Sequence, residues 1–293
     1  MPYVIGFFIA LFIALTGVGA GTITVPVLVL FLGVPAPIAV GIGLMFATAV
    51  KLILVPAQIA RRNVAWRTLG YMLLGGAPGV LLGSLFLRHL VSVGSANLLN
   101  AILGAILVST AGYQILNSFS TMRENAGNRE GRDPQGQILV GGVEDRSPLL
   151  SWLMFPVGVE VGFSSAGAGA LGSAALLSLT PLEPAQVVGT DIAFGFLVSL
   201  IGSGAHWFSH ATNPVLLLQL IAGGVFGAVS GTLLSTRVPR RPLRFVMWVW
   251  LLVLGGQFLF NSYKVWANPS TQKAGTAVVS GNSVPANAVE RAY

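Results

Sequence analysis

Glycine disfavours a helix interior more than any residue except proline, yet this chain repeats it in one register. Gly19 and Gly167 lie 148 positions apart, within "GVGAGTITVP" (17–26) and "GAGALGSAAL" (167–176), and both centre on Gly-Ala-Gly. At the same offset Val40-Gly41 meets Val188-Gly189, and "GGAPGVLLG" (75–83) meets "GGVFGAVSG" (223–231) with all four glycines matched. One match would mean little among 37 glycines. Several in a single ungapped register mark a duplication, so the fold has to be built twice from one plan, as many transporters are.

The surroundings of those glycines are apolar. Hydrophobic residues make up 54% of the 293 positions and charged ones 9%, against roughly 25% charged in a soluble domain; the mean hydropathy is +0.79. An integral membrane protein follows, with the lipid bilayer as its solvent. Apolar runs fall at about 3–16, 22–33, 38–60, 66–87, 96–117, 149–163, 170–180, 185–208, 214–236 and 243–263. Three runs in each half meet the requirement of about 20 residues for a spanning helix. The first two in each half reach only about 16–22 Å at 1.5 Å per residue. The expected fold is an all-α polytopic membrane protein made of two repeats, each with two short hairpin helices and three full-length helices. The first repeat covers 1–117, a polar linker 118–148, the second repeat 149–264, and a disordered tail 265–293, the polar segments being too rich in charge, glycine and small residues to bury a core. The start, "MPYVIGFFIALFIALTGVGAG", lacks the basic region of a signal peptide and reads as the first membrane segment.

The charges test orientation, because Lys and Arg in short loops favour the cytoplasm. The loop "RRNVAWR" carries Arg61, Arg62 and Arg67, while its counterpart "SHATNP" carries none. One loop further on, only Arg88 stands where the second half has Arg237, Arg240, Arg241 and Arg244. The asymmetry reverses between halves, which requires inverted repeats with an odd number of crossings each. The linker is then inside and both termini outside. The net charge of +7 reflects this orientation; the aromatic–basic interleaving of single-strand binders is missing, and no nucleic-acid partner is expected. Cysteine is absent, which excludes disulfides, thiolate metal sites and a Cys nucleophile.

An inverted pair of short-helix hairpins brings two glycine-rich tips toward each other from opposite faces. Irregular backbone at that depth persists only where protein or a polar cavity satisfies it, whether the short helices are re-entrant or cross obliquely. The second helix of each pair would aim free N–H groups and its positive dipole end at the centre, a ready seat for an anion. The candidate binding residues are Gly17, Gly19, Gly21 and Thr22 in one tip and Ser164, Ser165, Gly167 and Gly169 in the other. Gly75, Gly76, Gly79 and Gly83 and their partners read instead as small residues that let helices approach closely.

Few ionisable residues lie inside apolar runs. Lys51, in "LMFATAVKLILVP", would cost about 2.5–3.5 kcal/mol in lipid, so it should face a cavity or a partner and could lend positive field to the anion. Asp191, in "VVGTDIAFGF", occupies the corresponding helix of the other half. A Lys51–Asp191 contact would be either a structural ion pair or part of ion coupling. Glu160, in "PVGVEVGFSS", stands beside the second tip and either carries protons or faces headgroups or a packing partner. His206, in "GSGAHWFSH", is near a helix end and reads first as an interfacial histidine. No cofactor and no metal are expected, no nucleotide-binding motif is present, and homo-oligomerisation is left open.

Three segments resemble one family. The glycine-rich tip followed by "PVLVLFLGVPAPIAVG", the loop "RRNVAWR" and "GAGALGSAALLSLTPLEPAQVVGTDIA" together make the chain similar to TauE/SafE-type transporters over about 6–117 and 150–263. Family members usually carry Asn-Val-Asp-Trp in that loop; here Ala65 replaces the acid. One branch has Gly-Thr-Asp in both halves with a Lys eight residues after the first Asp, plus a glycine-rich His element. Asp191, Lys51 and His206 fit that branch, while Gly43 replaces its first acid. The resemblance implies a bacterial inner-membrane carrier of small sulfur oxoanions or sulfonates, driven by protons, and hence not an enzyme. The expected mechanism is alternating access by two rocking halves about a midplane site. Two rivals stand: a cation transporter using Asp191, Glu160 and His206 as ligands, and a polytopic membrane enzyme, which would want clustered carboxylates or a Ser/His/Asp set.

Overall fold

The computed structural model describes residues 1–16, 20–93, 96–127, 147–166, 169–207, 214–234 and 240–267. These form ten α-helices: α1 (Pro2–Thr16), α2 (Ala20–Leu32), α3 (Ala36–Ala60), α4 (Trp66–Ser92), α5 (Ala96–Gly127), α6 (Ser147–Ser164), α7 (Ala170–Leu179), α8 (Pro184–Trp207), α9 (Pro214–Leu234) and α10 (Arg240–Ala267). Each apolar run is one helix, as lipid demands of any spanning backbone. Helices α3, α4, α8 and α9 are each long and apolar enough to cross a membrane. The described apolar part of α5, Leu98–Tyr113, is shorter, although the helix itself continues to Gly127, past the end of its apolar run at 117. Most of the linker, 128–146, and most of the tail, 268–293, lie outside the described residues.

Local chemistry places the ends. Pro184 and Pro214 open α8 and α9, where a missing N–H costs nothing. Gly33, with φ 63°, closes α2. Helix α3 ends in a Schellman closure: Arg62 N–H donates to Ile59 O (3.0 Å) and Asn63 N–H to Gln58 O (3.0 Å). Arg62, not glycine, holds the left-handed position there, with φ 57°.

The glycine ridges decide the packing. A Cβ on Gly75, Gly79 or Gly83 of α4 would run into the backbone of α6 at Ser151, Phe155 and Val159. At the mirrored positions, Gly223 and Gly227 of α9 lie on Tyr3 and Phe7 of α1, and Gly231 lies on Leu11 and Ala14. Residue numbers rise together along both contacts, so α6 runs parallel to α4 and α1 to α9. Each repeat therefore lends its first helix to the other: α1 packs on α9 and α6 on α4. The aromatic pivots obey the same register. Fully buried Phe194 of α8 fills the space over Gly76, and Phe46 of α3 that over Gly224. Between apolar helices in lipid this close contact, not a hydrophobic drive, holds the pair.

Helices related by the duplication run antiparallel. Leu44 of α3 meets Gly202 of α8, while Asn63, just past α3, meets Gly189 near the start of α8. Gly104 of α5 faces Phe258 of α10, and Leu107 and Val108 face Gly255. Parallel repeats would have aligned these pairs in the same direction, so the repeats are inverted. Helices α1–α4 and α6–α9 form one continuous body around a shared core. Helices α5 and α10 pack on each other and touch that body lightly.

Candidate functional site

The second bend is built by serines. Helix α6 reaches Ser164, and Ser165 N–H still donates to Val161 O (2.8 Å). Ser165 then turns left-handed, with φ 61°. Ser164 Oγ donates to Glu160 O (2.8 Å) and accepts Ala166 N–H (3.1 Å), which ties the turn to the helix it leaves. Ser165 Oγ has no hydrogen-bond partner, although the residue is only 5% exposed. An unmet buried hydroxyl costs about 1–3 kcal/mol, and a non-glycine left-handed residue adds about 1–2 kcal/mol.

Ser165 lies where the two repeats meet. Its carbonyl and side chain rest on Gly21 at the start of α2, where a Cβ would overlap them. Its Oγ would be 3.1 Å from a Cβ placed on Gly43 of α3. Glycine is needed at Gly21 because backbone meets backbone. The second bend is thus in direct contact with the start of α2, where Thr22 and Thr24, one and three residues past Gly21, are buried. Gly17, Gly19 and Gly167 lie outside the described residues. Gly169 caps α7, and its carbonyl accepts Ser173 Oγ–H (2.8 Å).

A second polar group gathers beside α7. Ser173 Oγ is also 2.8 Å from Asp191 Oδ2, and the Asp191 carboxylate rests on Gly172. Lys51 is buried, 6% exposed, and interacts electrostatically with Asp191 across the α3–α8 crossing. Among the described residues it is the buried basic side chain. Glu160, partly buried on α6, stands with Oε1 2.6 Å from Thr110 Oγ1 of α5. The sequence-derived residues fall into two groups, Gly21/Thr22/Ser164/Ser165 and Lys51/Asp191; Glu160 lies one turn before Ser164 on α6, and the side chain of His206 is outside the description.

Sequence reasoning missed Ser173, Gly172, Thr110 and the role of Gly43. A signal existed for the first: at the 148-residue offset Val25 and Gly43 correspond to Ser173 and Asp191, two polar gains confined to one copy. Chemically, the site offers hydroxyls, helix-terminal amides and one ammonium group. No group of three or more His, Cys, Asp or Glu able to hold a metal occurs among the described residues.

The profile of the family described as Sulfite exporter TauE/SafE matches residues 3–258. The chain is 28% identical over 252 residues to the Bacillus subtilis (strain 168) protein described as "Probable membrane transporter protein YjnA", covering 85% of this chain and 95% of the relative. No solved structure matches it. With ten apolar helices, inverted repeats and this match over nearly its whole length, the chain is a multi-pass membrane protein that belongs to the sulfite exporter TauE/SafE family.

Proposed function

We propose that the protein is a secondary transporter of small sulfur-containing anions, such as sulfite or a sulfonate, which it exposes alternately to the two sides of a bacterial plasma membrane. Its linker would be cytoplasmic and both termini outside. The observation that carries this reading is the contact of Ser165 with Gly21, which sets the second bend against the start of α2 in the other repeat among buried hydroxyls. The unmet Ser165 hydroxyl is a donor awaiting an acceptor, which an oxoanion supplies. The N-terminus of α2, opening beside it, contributes its positive end, and Lys51 adds a full positive charge inside the same body.

The test is flux of ³⁵S-labelled sulfite, sulfate, thiosulfate and simple sulfonates into proteoliposomes. Movement of at least one of them above empty vesicles is expected, and none moving would overturn the reading. The carboxylate and hydroxyl oxygens of Asp191 and Ser173 favour a rival, in which the cargo is a cation. Lys51→Gln separates the two: an anion site should lose about tenfold in affinity, the size expected for one interaction of a charged group, whereas a cation site would be unaffected or improved.

A further inference from the structure

Helices α5 and α10 hold each other along Gly104, Leu107, Gly255 and Phe258, and they touch the eight-helix body at few places. The second bend lies on this boundary. Ala166 belongs to one buried apolar cluster with Leu107 and Ala111 of α5 and Leu251 and Phe258 of α10, against which Val29 and Leu30 of α2 also pack. A polar contact crosses the same boundary, between Thr110 of α5 and Glu160 of α6. Glu160 is also joined to the bend, because its carbonyl accepts the Ser164 hydroxyl.

The Thr110 hydroxyl has one proton and two oxygen neighbours: Ile106 O at 2.8 Å and Glu160 Oε1 at 2.6 Å. A threonine in a helix gives its proton to the carbonyl one turn back. With that proton on Ile106 O, the contact with Glu160 is a full hydrogen bond when the carboxyl is protonated and donates to Thr110. Ser173 divides its proton in the same way between Gly169 and Asp191, but Asp191 has Lys51 as a counter-ion. Glu160 has none. Of the elements packed on α6, α2 and α7 carry no ionisable residue; α4 carries Arg67, Tyr71, Arg88 and His89, α5 carries Tyr113, and α8 carries Asp191. None of these pairs with Glu160, whose side-chain partner is Thr110. Arg123 and Glu124 stand about 20 Å further along α5 at 1.5 Å per residue, and His206 is the last residue but one of α8.

We propose that Glu160 is the group that takes up and releases the coupling proton, and that its protonated form latches the α5–α10 pair to the second bend through Thr110. Protonated, the carboxyl donates to Thr110 and the apolar cluster around Ala166 stays closed. Ionised, the carboxylate is a charge without a counter-ion beside that cluster, and its hydration is recovered only as the seam parts. The proton comes from water on one side of the membrane and leaves to water on the other; no electron moves. The cargo that this proton would drive rests on the anion-transport reading, but the latch itself does not.

The chain has no cysteine, so spin labels can be attached at Tyr113→Cys on α5 and Leu153→Cys on α6, both about half exposed. Their distance is measured in lipid nanodiscs by double electron–electron resonance between pH 4.5 and 9. A single pH transition between two distance populations is expected. Glu160→Gln, whose amide still donates, should remain in the low-pH population throughout. Thr110→Ser should behave as the parent, and Thr110→Val should hold less of the low-pH population, because the protonated carboxyl loses its acceptor. A pH-independent distance in the parent, titration persisting in Glu160→Gln, or parent-like populations in Thr110→Val would each overturn the latch. In proteoliposomes, an imposed pH gradient should drive ³⁵S-anion accumulation by the parent and not by Glu160→Gln. Flux indifferent to the gradient removes the proton role and leaves the anion reading standing. Absence of flux for every anion removes that reading, and the label distances then decide the latch alone.

Discussion

Helices α4 and α9 present glycines at matching positions, 75, 79 and 83 against 223, 227 and 231, to matching positions of α6 and α1. Helices α3 and α8 are their neighbours and are also copies of each other, but there the correspondence breaks. Gly43 stands where α8 has Asp191, and Lys51 where α8 has Ser199. Symmetry is retained where backbone touches backbone, because any side chain at a ridge glycine obstructs assembly in either copy. It is lost where one charge of each sign is enough. A Lys and an Asp in both copies would bury twice the charge; one of each, drawn from different repeats, attract each other across the α3–α8 crossing.

The largest test of the retained symmetry is Gly79→Val beside Gly227→Val. Each places branched carbon against a carbonyl of the helix borrowed from the other repeat, at Phe155 or Phe7. Both should lose about 3 kcal/mol or more, seen as a collapse of monodisperse yield and thermal midpoint in detergent. Gly112→Ala and Gly256→Ala, which face open space, should match the parent. A loss in one ridge variant without the other would show that the two interfaces are not equivalent.

Next in size is the broken symmetry. Lys51→Ala leaves the Asp191 carboxylate buried beside Ser173 without that positive charge, a loss of about 2–3 kcal/mol. Removing Asp191 as well should return most of it, since two absent charges cost less than one unmatched. A double-mutant cycle on thermal unfolding reads the coupling, and additive losses would mean the two residues act independently.

Ser165→Gly should go the other way. Its counterpart in the first repeat is Gly17, so the substitution makes the bends alike. It removes both a left-handed serine and an unmet hydroxyl, and should raise stability by about 1–2 kcal/mol. If the hydroxyl receives the anion, affinity falls as stability rises, the exchange expected where strain serves function. A variant that is more stable and binds the labelled anion as well as the parent would take Ser165 out of the site.

Much of this fold could be read along the chain because membrane helices declare themselves by apolar length. All ten appear as runs, and the glycine register gives the duplication. The loop arginines foretold the inversion. The exchange of α1 and α6 was not legible: a glycine ridge says that some helix comes close, not which one. The left-handed turn was hidden for a related reason. Glycines 167 and 169 stand beside Ser165 and are the natural choice for such a turn, yet a serine makes it. Thr110 and Glu160 are 50 residues apart and Ser173 and Asp191 18 apart, distances at which no periodicity links side chains. The far end of α5 carries charge and polarity unlike the run before it, so apolarity stops at 117 although the helix does not.

The smallest expected effect concerns the loop between α3 and α4. Having closed α3 with Arg62 in the left-handed position, the chain turns so that Ala65 N–H donates to Thr190 Oγ1 (3.0 Å), while Asn63 rests on Gly189. Thr190 directly precedes Asp191, so this loop braces the turn of α8 that carries the acid. The residue corresponding to Thr190 in the first repeat is Ile42, which has no acceptor to offer. Thr190→Val therefore makes the second copy resemble the first at nearly constant shape. Losing one acceptor for one N–H should cost about 1 kcal/mol, and less if water reaches the loop edge. Amide exchange at Ala65 should rise several-fold while exchange in the α4 ridge stays unchanged. An unchanged rate at Ala65 would mean that Thr190 does not hold the loop, and that the packing of Asn63 on Gly189 suffices to keep it against α8.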